Sequence, residues 1–169
     1  MQKILITTGG TGGHVIPAKI IKEHLIDDNE IYYSTDVRGL KYLSSYIDES
    51  IILDTPKFNF NFYFPYKVIK LIYLVLKAAL FLKKKKIDKV ISIGGYMSLP
   101  VVISAKILRL SIFLIEPNLV LGRANKLFLN FADKIFCYSN KLFNFPKKHR
   151  HKIELIKPLV YKIFYNQEE

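Results

Sequence analysis

The sequence predicts an α/β fold: a Rossmann-like parallel sheet with helices on both faces. Three observations predict it. Short β-rich apolar runs alternate with longer segments whose apolar residues recur at helical spacing. A glycine-rich turn joins the first run to the first helix. Three unusual loops, at 9–14, 94–96 and 116–118, all fall where strands end. In open parallel sheets that edge is where ligands bind.

Taken in order, Lys3, Ile4, Leu5, Ile6, Thr7 and Thr8 read as a buried first strand. Ile16, Ile20, Ile21 and Leu25 give a helix over 15–26. Residues 30–35 form a second strand ending at Asp36, followed by a short helix over 38–46 and a third strand over 51–54. An aromatic loop, 56–65, leads into a long helix over 65–83. The fourth strand, 89–93, ends in Gly94, Gly95 and Tyr96, and Ser98 is placed to cap the helix over 98–108. Then come a strand over 111–115, a helix over 121–131, a strand over 134–138 and a candidate seventh strand over 153–156. No repeat or linker interrupts this pattern, so residues 1–169 read as a single domain.

Composition narrows the function. Half the residues are hydrophobic, which excludes disorder. One cysteine, Cys137, excludes a disulfide framework and a cysteine metal cluster. The four histidines show no His-x-x-x-His spacing, so no metal or other cofactor is expected. The N-terminus enters a strand directly, so no signal peptide is expected. The net charge of +12 favours a polyanionic partner, a nucleic acid or an anionic membrane surface. A lysine-rich composition would give the same excess without functional meaning. Most of the basic residues are Lys, and no arginine fork or known motif of a nucleic-acid reader is visible, so no nucleic acid is expected.

Gly9-Gly10-Thr11-Gly12-Gly13-His14 carries the strongest chemistry. Four glycines in five positions let the backbone take positive φ and let a ligand approach the main chain. The helix that follows offers free N–H groups to an anion. His14 stands at the mouth of the turn, where a proton acceptor could face a bound hydroxyl. The dinucleotide fingerprint fits imperfectly, because its last position is Val15, and the P-loop pattern fails. Asp36 is spaced to hold a ribose, but that imperfect fingerprint favours a helix cap or a surface carboxylate. Gly94 and Gly95 repeat the strand–glycine–helix arrangement, and two such loops side by side could enclose a diphosphate. Glu116 follows a buried strand directly, where a carboxylate must cap, pair or bind a ligand, and Asn118 beside it offers both donor and acceptor.

Residues 57–86 are the second informative stretch. Phe58, Phe60, Phe62, Tyr63, Phe64 and Tyr66 crowd a loop that should be polar. A nearly all-apolar run follows, interrupted by Lys70 and Lys77 and closed by Lys83, Lys84, Lys85 and Lys86. It is too short for a comfortable membrane span. Two readings stand: a buried crossover helix with a solvated lysine end, or an aromatic and basic surface lying on an anionic bilayer.

The motif from Gly9 to Pro17, the segment Gly94-Gly95-Tyr96-Met97-Ser98-Leu99-Pro100, and Glu116-Pro117-Asn118 with Leu121-Gly122-Arg123-Ala124-Asn125-Lys126 together resemble the amino-terminal domain of the MurG family. The likeness runs in order through essentially the whole chain. It implies the first domain of a two-domain GT-B glycosyltransferase, peripheral at the cytoplasmic face of the inner membrane. Such an enzyme transfers N-acetylglucosamine from UDP-N-acetylglucosamine to undecaprenyl-linked muramyl-pentapeptide (lipid I), giving lipid II, by an inverting mechanism without a metal. Carried over by motif, Thr11, Gly12 and Gly13 would line the donor side of the cleft, and His14 would be the base or orienting group. Gly94, Gly95 and Tyr96 would hold the lipid diphosphate, and Asn118, with Glu116 beside it, would contact the donor. Phe58, Phe60, Phe62, Phe64 and Lys83, Lys84, Lys85 and Lys86 would meet the membrane.

Three departures qualify this expectation. The family's His-Glu-Gln-Asn is here Ile115-Glu116-Pro117-Asn118, so a His and a Gln are missing. Its Gly-Asn-Pro-Val-Arg appears as Ile156-Lys157-Pro158-Leu159-Val160, without the Arg. The sequence stops at Glu169, where a donor domain would begin. Two expectations follow: an acceptor-binding half completed by a separate donor-domain chain, or a truncated, non-catalytic remnant that binds lipid-linked diphosphate. A dinucleotide-binding oxidoreductase domain is the third reading, disfavoured by Val15.

Overall fold

The computed structural model describes residues 1–10, 12–43, 49–56, 62 and 64–165, with the backbone alone at 164 and 165. Its centre is a seven-stranded, all-parallel sheet in the order β3-β2-β1-β4-β5-β6-β7. The strands are β1 (Gln2–Thr7), β2 (Asn29–Thr35), β3 (Ser50–Ile52), β4 (Lys89–Ser92), β5 (Ser111–Glu116), β6 (Lys134–Cys137) and β7 (Ile153–Leu155). The helices are α1 (Gly12–Leu25), α2 (Val37–Leu40), α3 (Phe64–Lys85), α4 (Leu99–Ile107), α5 (Arg123–Phe128) and α6 (Lys162–Tyr165).

Side chains alternate across a strand, so each strand feeds two apolar layers. On one face, Leu5, Val90, Ile112 and Leu114 pack with Leu74, Ala78 and Leu82 of α3, Val101 and Val102 of α4, and Phe128 of α5. On the other, Ile4, Ile6, Ile31 and Tyr33 pack with Val15, Ala18 and Ile21 of α1. The strand order reverses between β1 and β4, since β1 pairs with β2 on one side and β4 on the other. That reversal is the topological switch point where such sheets place ligands. The loops after β1, β4 and β5 therefore stand side by side, and they carry the three motifs singled out above.

The expected strands are all present within a residue or two. The helices differ more. The helix expected over 38–46 is described only as α2, Val37–Leu40, and residues 44–48 lie outside the described residues. The helix expected over 121–131 shortens to Arg123–Phe128. The larger correction concerns α3, which is not a fully buried crossover helix. Leu74, Ala78 and Leu82 face the core, while Tyr66, Ile69, Ile72, Tyr73, Leu76 and Leu80 are exposed. Tyr66, Ile69, Tyr73, Leu76 and Leu80 follow a 3-4 spacing and so form one stripe. Every such apolar residue adds to the helix's hydrophobicity, so overall hydropathy could not tell its two faces apart.

Helices α3 and α4 end alike. Ile87 N–H donates to Leu82 O at 2.9 Å and Lys86 N–H to Lys83 O at 3.1 Å. Leu110 N–H donates to Ala105 O at 2.9 Å and Arg109 N–H to Lys106 O at 3.2 Å. This is the Schellman pattern, whose penultimate residue takes a left-handed conformation that glycine accepts most readily. Here Lys86 (φ 54°) and Arg109 (φ 57°) occupy it. Arg109→Gly should therefore raise stability by about 1 kcal/mol, read as a melting temperature ~2–4 °C higher. A lower melting temperature would show that the Arg109 side chain, not backbone strain, governs that helix end.

Candidate functional site

The first glycine loop is held by a buried acid. Asp36, 1% exposed at the end of β2, accepts from Gly10 N–H at 2.8 Å and Gly39 N–H at 2.9 Å through Oδ1. Its Oδ2 accepts from Arg38 Nε at 2.9 Å. Asp36 is thus the N-cap of α2 and the anchor of the loop, as the cap reading expected. Gly10 needs its freedom, with φ at +83°. A Cβ at Gly9 would come within 3.0 Å of both Asp36 Oδ1 and Met97 Cγ. Burial opposes ionisation of Asp36, but the Gly10 and Gly39 N–H groups and the Arg38 guanidinium outweigh it, holding the carboxyl below its ordinary range.

The second glycine loop approaches the first. Gly94 and Gly95 have φ of +86° and +79°. Gly94 N–H donates to Ser92 Oγ at 3.2 Å, and Gly94 O accepts from Ser98 Oγ at 2.9 Å. Ser98 is therefore not the expected side-chain cap. A 3-10 turn, Tyr96–Ser98, precedes α4, and the Ser98 hydroxyl reaches back to the loop instead. A Cβ at Gly95 would stand 3.7 Å from His14 Cδ2 and 4.0 Å from Gly9 O, so the histidine and both loops meet there. His14 lies in the first turn of α1, and its Nδ1 is buried without a hydrogen-bond partner among the described residues.

The third loop is organised by Glu116, 3% exposed at the end of β5. Its Oε1 accepts from Asn118 N–H at 3.2 Å and Asn118 Nδ2 at 3.0 Å. Its Oε2 accepts from Gly122 N–H at 2.8 Å and Asn125 Nδ2 at 3.1 Å. Both oxygens are thus engaged within the loop, and the carboxylate ties β5 to the start of α5.

These loops enclose a cavity of about 340 Å³ lined by His14, Gly94, Gly95, Tyr96, Glu116, Asn118, Gly122, Arg123, Ala124 and Asn125. Of the expected site residues, His14, Gly94, Gly95, Tyr96, Glu116 and Asn118 come together here. Gly12 and Gly13 open α1 outside this lining, and Thr11 lies outside the described residues. The sequence reading quoted Arg123 and Asn125 within the motif over 121–126 but gave neither a role; Asn125 is 2% exposed beneath the cavity, and Arg123 is exposed at its lip. For Asn125 the signal was the buried acid nine residues before it, which needs donors. A larger groove of about 820 Å³ lies on the α1 face of the sheet, lined mostly by sheet residues such as Ile4, Ile91, Phe113 and Phe136, away from the three loops. Cys137, level with Glu116 on the next strand, is no nucleophile: burial, reinforced by Glu116, pushes its thiol up to about 12. No cluster of potential metal ligands occurs among the described residues.

Of the expected membrane residues, Phe58 and Phe60 lie outside the described residues. Phe62 is 93% exposed, and Phe64 is half-buried at the start of α3. Lys83, Lys84 and Lys86 are exposed, whereas Lys85 is half-buried with its Nζ 4.9 Å from the centre of the Tyr32 ring. No helix among the described residues is long and apolar enough to cross a membrane.

Residues 4–137 match the glycosyltransferase family 28 N-terminal domain. A Pelagibacter ubique protein, UDP-N-acetylglucosamine--N-acetylmuramyl-(pentapeptide) pyrophosphoryl-undecaprenol N-acetylglucosamine transferase, is 46% identical over 169 residues, covering 99% of this chain and 48% of the relative. The protein of the same description from Rickettsia canadensis is 35% identical over 157 residues, covering 90% and 43%. The chain thus spans about half the length of the curated relatives it matches. Among solved structures, Acinetobacter baumannii MurG superposes with a TM-score of 0.78 at 21% identity, covering all of this chain and 49% of that one. A Neisseria meningitidis UDP-GlcNAc 2-epimerase superposes at 0.64 with 12% identity, covering 91% and 45%. At those identities the structural likeness speaks for the fold.

Asp36 yields a test. Its lowered pKa means that its contribution is complete above the ordinary carboxylate value of about 3.9 and is lost as pH falls through the lower folded-state value. Asp36→Asn, which sets an amide against the donors, should cost roughly 2–3 kcal/mol at neutral pH. The gap to wild type should narrow as pH drops below ~4. Denaturant melts across that range check it, and a gap that does not change with pH would mean that the ionised carboxylate does not hold the loop.

Proposed function

The chain belongs to the MurG family, as its N-terminal domain, and from that premise we propose that it is the acceptor-binding half of a transferase that adds N-acetylglucosamine to a lipid-linked muramyl-pentapeptide. The observation that carries this reading is the convergence of His14, the Gly94–Gly95 pair and the Glu116 loop on one cavity at the switch point. His14 lines that cavity, with Nε2 3.9 Å from where a Cβ of Gly95 would stand, and suits a base or orienting group for the sugar hydroxyl. On this reading the donor, UDP-N-acetylglucosamine, is bound mainly by a second domain, to which Asn118, exposed on the cavity rim, and the accessible Gly12 and Gly13 are offered. Orientation across two domains supplies much of the rate in such a transfer.

Transfer from radiolabelled UDP-N-acetylglucosamine to lipid I tests this. The 169-residue chain should form no lipid II by itself, and should form it when mixed with the carboxy-terminal half of the Pelagibacter ubique relative. In that mixture His14→Ala should lower kcat ~10²–10⁴-fold with little change in KM for the acceptor. Near-wild-type turnover would make His14 a structural residue, and transfer by the chain alone would overturn the half-site reading.

The proposal extends to peripheral attachment at the cytoplasmic face of the inner membrane. The exposed stripe of α3, with Phe62 before it and Lys83, Lys84 and Lys86 after it, supports this. Apolar rings and aliphatic chains enter the interface while lysines meet lipid phosphates, each contributing about 1 kcal/mol near the surface. Binding to anionic vesicles should fall with salt, because the charge contribution is screened over ~8 Å. Replacing Lys83, Lys84 and Lys86 by Gln should remove the salt-sensitive contribution. Ile69→Ser with Leu76→Ser should remove the rest at unchanged melting temperature, since both are exposed. A wild-type chain that stays in the supernatant at low salt would rule out this surface.

A further inference from the structure

The net charge of +12 is not spread evenly along the chain. Residues 64–152 hold 18 of the 26 basic residues and three of the 14 acids, while residues 1–63 hold six basic residues and eight acids. A lysine-rich composition alone would favour both stretches alike. The three acids of the basic stretch are committed elsewhere. Asp88 Oδ2 accepts from Lys3 N–H at 2.7 Å, and Asp133 Oδ2 accepts from Ile112 N–H at 2.9 Å. Glu116 is buried with both oxygens engaged.

In the fold this stretch supplies one layer, with α3, α4 and α5 packed on the same face of the sheet. Ser104 Oγ of α4 donates to Val75 O of α3 at 2.7 Å. Crossover helices run back to the amino edge of a parallel sheet, so their ends collect there. Exposed Lys106 and Arg109 end α4 beside the lysines that end α3. Helix dipoles favour such cations, so these alone call for no partner.

The 3-10 turn Lys147–Lys152 continues that edge before β7, and the dipoles of the long helices do not account for it. Two of its six basic or imidazole side chains fasten it to the end of α5. Lys152 Nζ donates to Leu129 O at 2.8 Å and Ala132 O at 2.6 Å, and His149 Nε2 hydrogen-bonds Asn130 Oδ1 at 3.1 Å. Lys147, Lys148 and Arg150 are exposed, and their side chains make no hydrogen bond or ion pair among the described residues. Burial, then the charges of Lys148, Lys152 and His151, lower the pKa of His149. Unpaired like charges this close repel one another, a cost to the fold that an anionic surface removes. A bilayer matches both the charge of this layer and the apolar stripe of α3 within it, whereas a nucleic acid or an acidic protein would leave the stripe unused.

We propose that the turn Lys147–Lys152 is a second contact with anionic lipid, separated from the α3 stripe by α4 and α5. This rests on the reading of α3 as the membrane-facing helix. A single helix on a bilayer leaves the domain free to roll about the helix axis. A basic contact beyond α5 fixes that roll, so that the α3–α4–α5 layer, and not the α1 face, is turned to the lipid. A rigid body held at two places binds far more tightly than at either alone, so neutralising either contact loses most of the charge-dependent hold.

Co-sedimentation of the 169-residue chain with phosphatidylcholine vesicles containing phosphatidylglycerol tests this. Lys147→Gln with Lys148→Gln and Arg150→Gln should weaken binding roughly 100-fold, about fivefold per cation, at an unchanged or higher melting temperature. A spin label reads the roll. Cys137 is buried, with its thiol pushed up to about 12, so His151→Cys can be labelled selectively. On vesicles, a nitroxide there should be relaxed by nickel chelated to the headgroups, and one on Asp28→Cys, exposed after α1, should not. Binding that the triple variant leaves unchanged, or nickel relaxation at Asp28→Cys and not at His151→Cys, would overturn the inference while the α3 contact stands. Tighter binding to a single-stranded oligonucleotide or to polyglutamate than to the vesicles, lost in the triple variant, would overturn it in favour of a nucleic acid or an acidic protein. A wild-type chain that stays in the supernatant would overturn the α3 reading itself, and this inference with it.

Discussion

The buried carboxylate of Asp36 is the constraint on which the site depends. A glycine-rich loop has no side chains to pack and loses the most backbone entropy on ordering, so something outside it must fix its path. Asp36 does so from the neighbouring strand, by taking the Gly10 N–H that the sheet leaves over. The same oxygen caps α2, and Arg38 lies across the outer edge, so the acid is ionised although it is nearly inaccessible. Removing it would release Gly10, and with it the turn that sets His14 at the first turn of α1.

Glu116 has the corresponding role in the loop after β5. Each acid ends a strand, is buried, and gives its oxygens to donors from an irregular segment that has no sheet partner. This is why two carboxylates are tolerated at buried strand ends beside a mostly apolar core. It also explains why Glu116 and Asp36 look like ligand residues in the sequence. A carboxylate at a strand end satisfies main-chain donors as readily as it binds a substrate, and only the partners distinguish the two.

The sheet was legible because its strands are apolar on both faces and stand apart from the helices in period and length. The meeting of the three loops was legible too, since a βα alternation places all of them on the carboxyl edge. What could not be read was direction. The apolar residues of α3 are distributed round the helix, and only packing reveals that Leu74, Ala78 and Leu82 point inward while Ile69, Tyr73 and Leu76 do not. Ser98 had the right type and place for a cap, but the 3-10 turn before α4 aims its hydroxyl at Gly94 O. Asn125 stood in the motif over 121–126 without a role, because the sequence does not say which donors Glu116 takes. Its role appears only when Glu116, nine residues earlier, is seen to need a donor.

The position of α3 joins the two halves of the proposed function. β3 ends at the carboxyl edge of the sheet, so α3 begins near the site, at Phe64, and returns to the opposite edge to feed β4. Twenty-two residues make that path about 33 Å long. The apolar stripe therefore starts on the side of the carboxyl edge, and Lys83, Lys84 and Lys86 lie at the far end. On the proposed reading, the domain lies with α3 along the bilayer surface. The lysines hold the distant end to anionic headgroups, and the exposed aromatics Phe62 and Tyr66 meet the interface close to where a lipid-linked sugar must enter.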